Sequence, residues 1–198
     1  MEQTPAGVLQ AAANWVWLIP DVRFGHAIFV GRSDASVLDS LRLLFDRVTE
    51  HPETDRVPHL AGLVGAADVA YLDLVFLAQA RLPLDPLLAA LRTALDGGGH
   101  LCLASGCENG SLRARMRALR RLRTAARGAR RRGFRDFRRY YAHPSLRAPR
   151  AFLPATRLLT AAVERMAEPV PNRAVRLALA GCGLHELLYR GHLSLCSA

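Results

Sequence analysis

DPLLAALRTALDGGGHLCLAS, residues 85–105, reads as a helix, a three-glycine turn and a buried strand in immediate succession. Leu87, Leu88, Leu91 and Leu95 fall at i, i+1, i+4 and i+8, the spacing that puts apolar side chains on one helical face. Gly97, Gly98 and Gly99 then end the helix, and Asp85 is placed to cap its start. Residues 100–104 follow as a short apolar run that suits a sheet covered on both faces. Two more strands are predicted upstream, AIFVG at 27–31 and VAYLDL at 69–74. The order is βαβ, which makes this an α/β protein. Ligands of open parallel sheets bind just beyond the carboxyl ends of the strands, so residues 31–36, Glu50 and Asp73 become the positions of interest.

The loop after the first strand reads Phe29, Val30, Gly31, Arg32, Ser33, Asp34, Ala35, with small residues at every second position from Gly31. Glu50 follows Gly31 by nineteen residues, Asp68 and Asp73 sit on the second strand, and a GGG turn leads into residues 101–105. Over residues 24–141 this pattern resembles the class I S-adenosylmethionine-dependent methyltransferases. Their first motif is a strand ending in an acidic residue, one apolar residue and then G-x-G-x-G. The resemblance implies a Rossmann-like, mostly parallel sheet with flanking helices. It also implies that S-adenosylmethionine is held by Gly31, Ser33 and Ala35 in the loop, by Glu50 at the ribose hydroxyls, and by Asp68 and Asp73 along the fourth motif. Two departures stand beside it. Phe29 occupies the acidic position, and only a short stretch joins Glu50 to Asp68, where the family fits another helix and a third strand.

GFRDFRRYYAHPSLRAPRAFLP, beginning at Gly133, suggests a further strand that opens with the G-F step common in this family, and HLSLC at 192–196 supplies the last one. Residues 142–190 between them form a helical insertion, with helices expected at 158–166 and 174–180 around the EPVPN break. The organisation expected is therefore a single domain: a lead-in over residues 1–23, a core over 24–141, the insertion over 142–190 and the last strand over 191–198. Trp15 and Trp17 in the lead-in suit either a lid over the cofactor or packing against the sheet. Tyr140, Tyr141, His143, Arg147 and Arg150 stand where the chain leaves the sheet for the insertion. Tyr141 and His143 are candidate general bases for an acceptor hydroxyl or amine. Tyr140, Arg147 and Arg150 are candidate substrate contacts. Alternation along a strand gives the plainer reading, in which one tyrosine is core and its neighbour surface.

Charge is divided unevenly: residues 1–100 hold 7 Arg against 12 acidic residues, and residues 101–198 hold 20 Arg against 5. Residues 113–139 alone carry 13 Arg and one acid, Asp136. Leu112, Met116, Leu119 and Leu122 give an apolar stripe at helical spacing, so these arginines read as the solvated face of a helix lying on the sheet. No RNP-like aromatic pattern, zinc module or helix-turn-helix accompanies them, and nucleic acid is not the expected partner. All 27 basic residues are Arg, which mutational bias in a GC-rich genome explains.

The 198 residues suffice for one sizeable core, and no run reaches membrane-spanning length. The opening MEQTPAG lacks a basic cluster followed by an apolar stretch, so no secretory leader and a cytoplasmic location are expected. Cys102, Cys107, Cys182 and Cys196 show no C-x-x-C pair, and the seven histidines are scattered, so reduced thiols and no metal are expected. The function expected is methyl transfer to a small molecule or peptide intermediate in a bacterial biosynthetic pathway, with a homodimer or partner enzyme as possible company. The alternatives are a pseudo-methyltransferase that has lost cofactor binding and a nucleic-acid-binding module built on the Arg-rich helix.

Overall fold

The computed structural model describes residues 14–20, 22–32, 36–51, 65–95, 97–107, 111–143, 146, 149, 151–156, 186, 189 and 191–198. The described strands are β1 (His26–Val30), β2 (Arg47–His51), β3 (Val69–Asp73), β4 (His100–Gly106), β5 (Arg135–His143), β6 (Ala151–Pro154) and β7 (Gly191–Ser197). They form one sheet in the order β2-β1-β3-β4-β7-β5-β6. The first four are mutually parallel. β7 runs antiparallel to both β4 and β5, and β6 runs antiparallel to β5. The architecture is the Rossmann-like one expected, and the predicted strands at 27–31, 69–74, 100–104 and 192–196 fall within a residue or two of β1, β3, β4 and β7.

Helices cover both faces. α1 (Ser36–Leu44) and a 3-10 turn at Asn14–Leu18 lie on one face, where Trp15, Val16, Leu38 and Leu41 pack on Ala27, Phe29, Val69 and Tyr71. α2 (Leu74–Ala80), α3 (Leu84–Ala94) and α4 (Leu112–Arg131) lie on the other, over Ile28, Val30, Leu72, Leu101 and Leu103. A parallel sheet buried on both sides needs near-continuous apolar strands, and β1 is buried at all five positions.

The opening stretch folds as read. Leu87, Leu88, Leu91 and Leu95 are all buried, and Gly98 takes a φ of +92°, a turn conformation that glycine adopts without a Cβ clash. At Gly99 a Cβ would come within 2.6 Å of the Ala67 carbonyl oxygen, so the turn passes too close to the neighbouring chain for any side chain. Asp85 is a correction. α3 begins a residue earlier, with Pro83 at the capping position and no side-chain cap, and Asp85 instead accepts from Arg132 Nε at 3.1 Å.

α4 lies on the sheet as expected, but its buried stripe is Ala118, Leu119, Leu122, Ala125 and Ala129. Leu112 and Met116, assigned inward by the spacing, are exposed. Small alanines let the helix sit close to the sheet, and the turn made by Leu112 and Met116 is rotated away from that contact. A second difference lies in the insertion, whose start forms β6 against β5. The helices expected at 158–166 and 174–180 lie outside the described residues.

Candidate functional site

Gly31 follows β1 at the carboxyl edge of the sheet. A Cβ there would lie 2.7 Å from Phe29 Cζ and 3.4 Å from Asp73 Cβ. The residue is thus pinned between the ring that replaces the expected acid and the end of β3. Phe29 stacks on Tyr71 with centroids 5.6 Å apart and planes 7° apart, and Tyr71 in turn meets Trp15 at 5.4 Å. Trp15 therefore packs against the sheet face, while Trp17 is exposed. Burial, and then the charge of Asp73, push the Tyr71 phenol well above its ordinary pKa.

Asp73 ends β3 and caps α2, its Oδ1 accepting from the backbone N–H groups of Val75 at 2.8 Å and Phe76 at 3.2 Å. Capping fixes the carboxylate beside Gly31 and satisfies two otherwise unpaired helix donors. Desolvation raises its pKa, opposed by those two backbone bonds and by the positive charges of Arg32 and Arg121. Arg32 donates to Gln79 Oε1 on α2 at 2.6 Å, which ties the start of the loop to that helix; Asp34 lies outside the described residues.

Glu50 lies on β2 directly across from Phe29, one residue short of the strand end. Its Oε1 accepts from Arg42 Nη2 of α1, and the same guanidinium reaches Asp39 Oδ1 at 3.1 Å. The Glu50 side chain remains 33% exposed, so its carboxylate still faces solvent. With adjacent strands about 4.8 Å apart, Glu50 and Asp73 flank the end of β1 at a separation of roughly 10 Å. The structure thus brings together Gly31, Glu50 and Asp73. Ser33 and Ala35 lie outside the described residues.

Asp68 is a correction. It precedes β3 at the opposite, amino edge of the sheet, where Oδ2 accepts from the His26 backbone N–H at 2.9 Å. Five strand residues, roughly 17 Å, separate it from Asp73. Its work is to tie the start of β1 to the start of β3.

On β5 the tyrosines alternate as a strand requires. Tyr140 packs half-buried against the α1-side core, and Tyr141 is buried on the α4 side. Tyr141 stacks on Tyr189 at 4.3 Å and meets the His192 ring edge-on at 5.7 Å. Burial first, and then the charge of Glu186, raise its pKa strongly, so the phenol keeps its proton at neutral pH. Tyr141 is accordingly suited to donate a hydrogen bond and unsuited to act as a base. β5 lies four strands from β1, roughly 19 Å at ordinary strand spacing, so Tyr141 stands apart from Gly31. His143 ends β5 opposite Ala151, and only its backbone is described. Arg147 and Arg150 lie outside the described residues.

Sequence reasoning missed one polar cluster. Glu186 is buried and accepts from Arg123 Nη2 of α4 at 2.7 Å and from Arg139 Nη1 of β5 at 2.8 Å. His192 beside it has a pKa lowered to about 4, chiefly by burial, with Glu186 acting the other way. The available signal was the scarcity of acids: Glu186 is one of only five among residues 101–198.

Among the described residues no group of three or more His, Cys, Asp and Glu is arranged to hold a metal ion, and no helix is long and apolar enough to cross a membrane. Cys102 and Cys196 are buried thiols, and burial raises both, Cys196 to about 12, which disfavours the reactive thiolate.

No protein-family model matches the chain, and no curated protein matches it in sequence. Solved structures do. A SAM-dependent methyltransferase from Archaeoglobus fulgidus aligns over 96% of this chain and 94% of its own, with 11% identity and a TM-score of 0.56. A SAM-dependent methyltransferase from Thermotoga maritima aligns over 97% and 87%, with 13% identity and a TM-score of 0.48. The phosphoethanolamine N-methyltransferase 2 of Haemonchus contortus aligns over 98% of this chain and 53% of its own, with 13% identity and a TM-score of 0.47. The first of these shows a shared fold.

Proposed function

We propose that this chain, which has the class I S-adenosylmethionine-dependent methyltransferase fold, binds S-adenosylmethionine over the carboxyl ends of β1, β2 and β3 and methylates a small molecule or peptide intermediate of a bacterial biosynthetic pathway. The observation that carries the reading is the convergence of Gly31, Glu50 and Asp73 at one edge of a sheet with this strand order. The missing side chain at Gly31 makes room for the Phe29 ring, so the chain can turn tightly at the end of β1. Glu50 keeps one carboxylate oxygen for a pair of ribose hydroxyls while Arg42 holds the other. Ser33 and Ala35 complete the loop in this reading.

The bound cofactor supplies a methyl group already activated on a sulfonium. Alignment of the acceptor then provides most of the rate, without an obligatory acid or base. The end of β5 is the acceptor side of this proposal, with Tyr140, Arg147 and Arg150 as contacts and His143 as the base for an acceptor that must lose a proton. In this reading Asp68, at the amino edge of the sheet, does not hold the cofactor, and Tyr141 does not remove the proton. The unit is a single cytoplasmic domain, in keeping with its buried thiols.

A second reading has its own support. Phe29 in the acidic position and Arg42 on Glu50 suit a domain that kept the fold and lost the cofactor. Calorimetric titration with S-adenosylmethionine and S-adenosylhomocysteine separates the two. Saturable binding to folded protein upholds the methyltransferase reading, and no heat from either ligand replaces it with the pseudo-enzyme.

A further inference from the structure

The α4-side face of β5 and β7 holds a polar patch that the methyl-transfer reading does not use. Arg139 and Tyr141 on β5 lie directly across from Ser194 and His192 on β7, and all four project to the α4 side of the sheet. Arg123 reaches the same place from α4 and meets Arg139 on the buried carboxylate of Glu186.

Three features make this patch more than a structural ion pair. Each guanidinium has five N–H donors and gives one to Glu186, while the two side chains stay 52% and 44% exposed, so each keeps donors for a further acceptor. The trio of two guanidiniums and one carboxylate keeps a net positive charge. Beneath it, His192 Nε2 and Ser194 Oγ are fully buried with no hydrogen-bond partner among the described residues, a state that buried polar groups rarely adopt. A neutral imidazole can present Nε2–H as a donor, and the serine hydroxyl is a donor as well.

We propose that Arg123 and Arg139, fixed by Glu186 above a floor of His192 and Ser194, form a binding site for an oxyanion, a phosphate or carboxylate group of a ligand. The buried carboxylate holds two forked donors in place before the ligand arrives, which suits bidentate capture of a planar or tetrahedral oxyanion. Ser194 and His192 gain the partner they lack. This site stands apart from the one proposed for S-adenosylmethionine and does not depend on it.

Titration of the purified full chain with inorganic phosphate, and separately with acetate, at fixed ionic strength tests the proposal. Saturable phosphate or acetate binding is expected, and whichever anion binds more tightly identifies the ligand group. R139Q and R123Q should each weaken it about tenfold. R127Q, which removes an equal charge from the exposed side of α4, should leave it unchanged. S194A, a milder change than loss of an arginine, should weaken it severalfold in a protein with the wild-type melting temperature, so the proposal remains testable even if an arginine variant fails to fold. Absence of saturation with either anion, or equal small losses in all four variants, would overturn it.

Discussion

Glu50 and Glu186 are both carboxylates held by arginine on the same sheet, yet their surroundings set them to different work. Glu50, at the edge of β2, is one-third exposed and shares Arg42 with Asp39. Glu186, on the β5–β7 side, is 8% exposed and draws two arginines from different elements. A partly exposed pair gains little net energy, so Glu50 is free to exchange solvent for a ligand. A buried carboxylate must stay compensated, so Glu186 fixes its arginines in place. The lesson is that exposure, more than the identity of the pair, decides whether a carboxylate stays open to solvent or fixes the groups around it.

The largest test of this contrast is acid. His192 is held neutral, with a pKa near 4 in the fold against 6.5 unfolded, so the unfolded chain binds the extra proton between those values. Stability from this group is complete above pH 6.5 and declines as pH falls towards 4, by about 3 kcal/mol at full extent. Urea unfolding across that range should show the slope, and His192→Gln should flatten it. Next, Glu186→Gln leaves two guanidiniums around a neutral amide. Because both are half exposed, the cost should be about 2 kcal/mol, below that of a wholly buried pair. A smaller effect is expected from Gly31→Ala, whose methyl would press on a buried, stacked Phe29; about 1 kcal/mol should be lost in denaturant melts. Arg42→Ala should leave the melting temperature unchanged, since its pair is exposed to solvent. A loss for Arg42→Ala equal to that for Glu186→Gln would break the comparison.

The two regions were also unequally legible in the sequence. β1, β3, β4 and the helix-turn-strand at residues 85–105 could be read directly, because strands buried on both faces are continuous apolar runs and α3 shows its face in four leucines. Gly31 and Asp73 could be placed because they follow or end such strands, and Glu50 by its nineteen-residue spacing from Gly31, although β2 around it is half exposed and shows no apolar run. β6 could not, since AFLP owes its strand state to pairing with β5 and has no pattern of its own. Asp68 was misplaced because a carboxylate beside a strand reads alike at either end, and only the bond to His26 reveals the amino edge. The Glu186 cluster joins residues 63 and 47 positions apart, and no local period encodes such contacts.

The measurement that bears most directly on this division is titration with S-adenosylhomocysteine of wild type, Glu50→Ala and Arg139→Gln, each with its melting temperature recorded. The account predicts saturable binding to wild type and Arg139→Gln, and a loss of about tenfold or more in a folded Glu50→Ala. Wild-type affinity in Glu50→Ala, or a loss confined to Arg139→Gln, would contradict it.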